Sequence, residues 1–169
     1  MSRSARRLRS VSAPLFLSFA LLFGVSFTLG ATEAAAADGI VKARLEAKGV
    51  KFEVDADGDF KCVFRLDSGR TQVVWVRSNV AEYGAVKVRE IWSPGYLADT
   101  DDFPAIVANQ LLPNSNTVKL GGWVTQGRSA VFVVKIPGDA SADQLVNGIT
   151  AAVESADALE LALTGKDDL

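Results

Sequence analysis

The run VKFEVDADGDFKCVFRL, from Val50 to Leu66, limits the fold of this 169-residue chain more than any other stretch. Phe60, Cys62, Phe64 and Leu66 take one parity, and Lys61, Val63, Arg65 and Asp67 take the other. Strict alternation of this kind belongs to a strand with one buried face. Phe52 and Val54 alternate in the same way before it. Asp57-Gly58 between the two runs is a hairpin signal, because a two-residue turn needs residues that tolerate positive φ.

The same segment invites a calcium reading, since Asp55, Asp57 and Asp59 match the first three ligand positions of an EF-hand loop. The sixth position should then be glycine, but it is Phe60. The twelfth should be a bidentate glutamate, but it is Leu66. The turn is therefore favoured, and no metal or cofactor is assigned.

Further strands are predicted over Thr71–Arg77 and Val86–Trp92, with Ser78–Ala85 as a loop between them. Val86, Val88, Glu90 and Trp92 share one face of the later strand. Asp99–Asn116 reads as a short helix, with Asp99, Thr100, Asp101 and Asp102 as capping groups and Pro113 as its stop. Thr117–Pro137 reads as a hairpin turning at Gln126-Gly127-Arg128. A helix over Asp38–Val50 opens the domain and ends at Gly49. The longest helix, Gly138–Leu163, starts with a Ser141/Gln144 capping box and carries an apolar stripe through Leu145, Ile149, Ala152, Val153, Ala156 and Leu159. The predicted order is α-β-β-β-β-α-β-β-α. It makes an α+β fold, an antiparallel meander plus hairpin with helices packed on the sheet.

Arg3, Arg6, Arg7 and Arg9 precede an uncharged run from Val11 to Gly30 and the small-residue stretch ATEAAAADG. This is the pattern of a signal peptide over residues 1–37, cleaved after Ala36 or Ala37. An uncleaved anchor is the competing reading, since the apolar run is long enough to span a bilayer. The expected organisation is a leader, a domain over residues 38–164 and a polar tail over 165–169, in a periplasmic or secreted protein.

The mature chain carries 14 basic and 19 acidic residues, a net charge of −5. A mildly acidic domain is unsuited to nucleic acid, which calls for a basic surface, and no membrane partner is expected once the leader is gone. The lone Cys62 cannot form an intrachain disulfide, and its strand phase puts it indoors. The chain has no histidine. That removes Ser-His-Asp and Cys-His catalysis and the commonest zinc ligand.

The leading helix ending in Gly49, the VKFEVDADGDFKCVFRL hairpin, the strand-rich middle ending at REIW, and the long helix introduced by DASADQLVNGI resemble the YbjN family. The resemblance runs over about residues 39–163. That family shares the fold of type III secretion chaperones and is also described as bacterial sensory transduction regulators. The resemblance implies a small antiparallel sheet with helices on it, self-association as a homodimer, and a non-enzymatic interaction role. Many relatives are cytosolic, whereas this chain carries a leader.

Trp75 is in phase with Thr71 and Arg77, and Trp123 with Lys119 and Thr125, the polar sides of their strands. Val63 and Val73 are expected to join them on one sheet face. An apolar patch on a solvated face points to a protein or peptide partner or a second copy. The alternative is that the C-terminal helix covers this face and the tryptophans are core. The expected function is thus an exported, non-enzymatic binding or regulatory module, contacting its partner through Val63, Val73, Trp75 and Trp123. A small-molecule or lipid site between sheet and C-terminal helix is the other reading.

Overall fold

The computed structural model describes residues 36–169. The predicted leader therefore lies outside the described residues up to position 35. Among the described residues, no helix is long and apolar enough to cross a membrane.

The chain forms α1 (Gly39–Ala47), β1 (Glu53–Val54), β2 (Phe60–Arg65), β3 (Thr71–Tyr83), β4 (Val86–Leu97), α2 (Ala105–Thr117), β5 (Gly122–Gln126), β6 (Ser129–Pro137) and α3 (Ala142–Thr164). The fold is α+β in the expected element order. All six strands join one antiparallel sheet in the order β1-β2-β3-β4-β6-β5. The β4–β6 pairing places the late hairpin beside the meander, so the β5 edge lies farthest from β1.

Among the described residues, the helices pack on one face only. Phe60, Cys62, Val74, Val76, Ile91, Phe132, Val134 and Ile136 point toward them and meet Val41 and Leu45 of α1 and Leu145, Ile149, Ala152 and Val153 of α3. Burying side chains of this size is the main stabilising term, at about 1.5–3 kcal/mol each. Gly148 lets α3 come down on the sheet: a Cβ there would lie 2.7 Å from Ile91 Cδ1 and 3.3 Å from Ile136 Cγ2. The expected caps form, with Asp38 accepting from Ile40 and Val41 N–H, and Ser141 exchanging bonds with Gln144.

Three expectations are corrected. Ser78–Ala85 is not a loop, since β3 continues to Tyr83 and turns at Gly84-Ala85. The irregularity that suggested a loop is a bulge between Val76 and Val80. It turns the Arg77 and Ser78 carbonyls toward the buried guanidinium of Arg89, which donates to them at 2.6 and 2.9 Å. Arg89 also pairs with Asp38 at 2.6 Å, tying α1 to the hairpin.

The acidic run does not cap α2. The N-cap is Pro104, with no side-chain bond, and Asp99, Asp101 and Asp102 lie exposed ahead of it. Pro113 does not stop that helix either. It removes one backbone bond and crowds the carbonyl four residues before it, yet the helix runs on to Thr117.

The polar tail is bound to the domain. Arg70 pairs with Asp157 at 2.5 Å and Glu160 at 2.9 Å. The other oxygen of Glu160 accepts from the N–H groups of Asp168 and Leu169 at 2.8 and 3.0 Å, and Asp167 accepts from Thr71 N–H at 3.0 Å. Glu160 is 1% exposed, so these donors satisfy a carboxylate that would be costly to bury alone. The Asp157 carboxylate beside Arg70 holds the guanidinium above its ordinary pKa.

Candidate functional site

Among the described residues every helix lies on one side, and none covers the other side of the sheet. Strand parity assigns its residues: Lys61, Val63 and Arg65 from β2; Val73, Trp75 and Arg77 from β3; Glu90, Trp92 and Pro94 from β4; Val131, Val133 and Lys135 from β6. Val63 is 63% exposed, while Val73, Trp75, Trp92 and Pro94 are half-buried among their neighbours.

Trp75 and Trp92 stand directly opposite each other across the β3–β4 ladder. Directly opposed side chains on one face of an antiparallel pair are close enough for two indoles to form one apolar platform. Each indole has a cation on it. Arg77 lies over the Trp92 ring at 4.7 Å from the centroid, and Lys61 Nζ lies 5.9 Å from the centroid of Trp75. Contacts of this kind hold long side chains over aromatic faces. Arg77 is further fixed by Asp59, 2.6 Å away, whose second oxygen accepts from Ser78 N–H at 2.6 Å.

Two shallow cavities, of about 550 and 520 Å³, open on this face. Trp92 lines both. The first runs past Trp75, Arg77 and Pro94 to Leu97 and Leu169. The second lies between Trp92, Val124, Val133 and Lys135, with Trp123 at its border. Between α3 and the sheet the layers are in contact, as Gly148 against Ile91 shows. A smaller groove of about 400 Å³ borders Phe64, Leu66, Ile149 and Val153 where α3 passes the end of β2.

Of the four sequence-derived residues, Val63, Val73 and Trp75 share the uncovered face. Trp123 does not, and its placement is corrected. It pairs with Phe132 on the helix-covered face and meets that ring edge to face at 5.1 Å. Its indole N–H donates to Asn114 at 2.7 Å and its backbone N–H to Ser115 Oγ at 2.9 Å, both on α2. Its ring lies over Gly95, where a Cβ would come within 2.6 Å of Cη2. Trp92 takes its place on the open face.

Asp55, Asp57 and Asp59 come close enough to share a cation. Oxygens of two of the three are already engaged. Asp55 Oδ1 accepts from Asp57 and Asp59 N–H, closing the turn, and Asp59 serves Ser78 and Arg77. Asp157, Glu160 and Asp167 also converge, on Arg70 and Thr71 as described above. Cys62 is buried, and that burial pushes its thiol up to about 11. No protein-family model matches the chain, and no curated protein matches it.

Proposed function

We propose that this chain is an exported, non-enzymatic protein-binding module of the kind its resemblance to the YbjN family and the secretion chaperones implies. In this reading the uncovered sheet face is its contact surface. The observation that carries the reading is the opposed Trp75–Trp92 pair on the side of the sheet that no helix among the described residues covers. Aromatic anchors at the centre of an apolar patch with charged surroundings are what stable protein contacts use, and tryptophan dominates their binding energy. Val63 and Val73 extend the patch toward β2. The lack of histidine supports a binding role over acid–base or nucleophilic catalysis.

The test is retention of periplasmic proteins by the immobilised domain, compared with Trp75→Ser, Trp92→Ser and a control, Ile106→Ser, on the exposed side of α2 (72% exposed). A specific partner should lose at least about tenfold in affinity with either tryptophan variant and almost nothing with the control. If every retained protein, and any self-association, is indifferent to both tryptophans while circular dichroism shows an intact fold, the reading is wrong.

A further inference from the structure

We infer that residues 166–169 are a tethered occupant of a peptide-binding site at the end of the sheet, and that a partner segment of the pattern Asp-x-Leu enters by taking their place. The inference rests on the reading of the uncovered face as the contact surface, because the same residues border one end of its groove.

The end of α3 delivers the chain to this site. Gly165 adopts φ 66°, the left-handed cap that turns the backbone off the helix axis, and its N–H donates to the Leu161 carbonyl. Each of the next four residues then makes a contact. The Lys166 carbonyl accepts from Arg70 Nη1, and the Asp167 carboxylate accepts from Thr71 N–H at 3.0 Å. The N–H groups of Asp168 and Leu169 both donate to one oxygen of Glu160, at 2.8 and 3.0 Å. Apart from the Asp167 carboxylate, every group the tail offers in these contacts belongs to the backbone. The site therefore reads a peptide with an acid at one position, and the side chains of Lys166 and Asp168 play no part in it.

Leu169 supplies the apolar contact. It is half-buried, whereas residues 165–168 are exposed. It lines the 550 Å³ groove on the uncovered face together with Trp75, Trp92 and Leu97. It also lines a second cavity of about 440 Å³ at the end of α3, bordered by Tyr96, Leu97 and Leu163. Leu97 and Leu169 are common to the two, so they stand where the groove meets the peptide site.

The polar groups decide between a tail that opens freely and one that is exchanged. Glu160 is 1% exposed, and its donors are Arg70 and the two tail N–H groups. A buried carboxylate stripped of donors is costly, so an empty site is disfavoured. An incoming extended segment restores each bond the tail gives up: a carbonyl for Arg70, a carboxylate for Thr71, two successive N–H groups for Glu160 and a leucine beside Leu97. A partner lying over Trp75 and Trp92 gains this site by continuing past Leu97.

The test uses a fluorescein-labelled peptide of residues 161–169 and a control peptide carrying Asp167→Ala and Leu169→Ser. Each is titrated by anisotropy with the intact chain and with its Asp167→Ala/Leu169→Ala variant, whose own tail is weakened. The substituted residues lie outside every helix and strand, and circular dichroism checks that the fold is kept. A short tether holds the tail at an effective concentration on the order of millimolar, so free peptide competes poorly with it. The tail peptide should bind the variant at least about tenfold more tightly than the intact chain. It should also bind the variant at least about tenfold more tightly than the control peptide does, and adding Leu97→Ser to the variant should weaken it.

Equal affinity for the two chains, equal affinity for the two peptides, or no binding to the variant overturns the inference. The contact-surface reading survives any of these if partner retention still depends on Trp75 and Trp92. Retention indifferent to both tryptophans overturns that reading, and with it the entry of a partner at this site. A dimer in sedimentation runs that the tail variant loses places one copy's tail in the other's site and likewise overturns the inference.

Discussion

Replacing Asp38 by asparagine should separate its two structural roles. Asp38 caps α1 through Oδ1, which accepts from Ile40 and Val41 N–H, and pairs with Arg89 through Oδ2 at 2.6 Å. Asparagine keeps a good cap and removes the charge. Stripping one partner from a fully buried ion pair costs about 3–5 kcal/mol. The Arg89 side chain is 2% exposed, but Asp38 is 21% exposed, and Arg89 keeps its two carbonyl acceptors. The cost should therefore be lower, about 2 kcal/mol. At about 3 °C per kcal/mol for a domain of this size, Asp38→Asn should melt about 6 °C below the parent. Asp38→Ala also loses the cap, for a further loss of about 1 kcal/mol.

Acid supplies a second readout. Burial alone would raise the Asp38 carboxyl, but the Arg89 hydrogen bond, the N–H groups of Val41 and Ile40 and the Arg89 charge together hold it below 3.8. A carboxyl depressed in the folded state contributes stability that is present above its unfolded value and lost as pH falls through the folded one. The gap in melting temperature between parent and Asp38→Asn should hold steady down to about pH 4 and close below it. An asparagine variant that melts with the parent at neutral pH, or a gap unchanged in acid, would refute the assignment.

Three other outcomes are expected. Gly95→Ala should destabilise by about 1–3 kcal/mol in urea unfolding, because its Cβ would sit 2.6 Å from Trp123 Cη2 and 3.0 Å from the Ala156 carbonyl; parental stability would show that Trp123 is seated elsewhere. Cys62, buried and titrating at about 11, should resist a thiol reagent at about pH 8 until denaturant is added, and rapid labelling of the native protein would contradict its burial. Millimolar calcium should move the melting temperature by less than about 1 °C, since Asp59 is committed to Arg77 and Ser78; a larger rise would restore a metal role to the β1–β2 turn.

The element order was legible because most of its signals are local. Asp57-Gly58, the Ser141/Gln144 box and Gly49 act within a few residues and need no tertiary context. The errors fall where a distant partner decides. The β3 bulge interrupts the alternation after Arg77, and it is stabilised by Arg89 and by Asp38 at the other end of the domain. The aspartates before α2 look like caps in one dimension, yet that helix starts at Ala105, after Pro104. The tail is polar as read, and its attachment to Arg70 and Glu160 has no local signal.

The candidate site turned on the same distinction. A tight turn at Gly84-Ala85 makes odd-numbered β3 residues share a face with even-numbered β4 residues, and the bulge shifts the register by two without changing that parity. With the segment before Tyr83 as strand, Trp75 and Trp92 fall on the same face, although the turn register alone would set Trp75 opposite Pro94. Trp123 was harder to place. The turn at Gly127 does tie it to Phe132, but Ala130, Val131, Phe132, Val133 and Val134 are all buried. A central strand buried by the helices on one face and by neighbouring side chains such as Trp92 and Pro94 on the other carries no polar side to reveal which face the helices cover. Lys119 and Thr125 supplied a polar phase only because β5 is an edge strand. The face shared by Trp123 and Thr125 is the one that α2 reaches, through Asn114 and Ser115. Parity therefore identified which side chains stand together, and helix placement decided which of those sets a partner can touch.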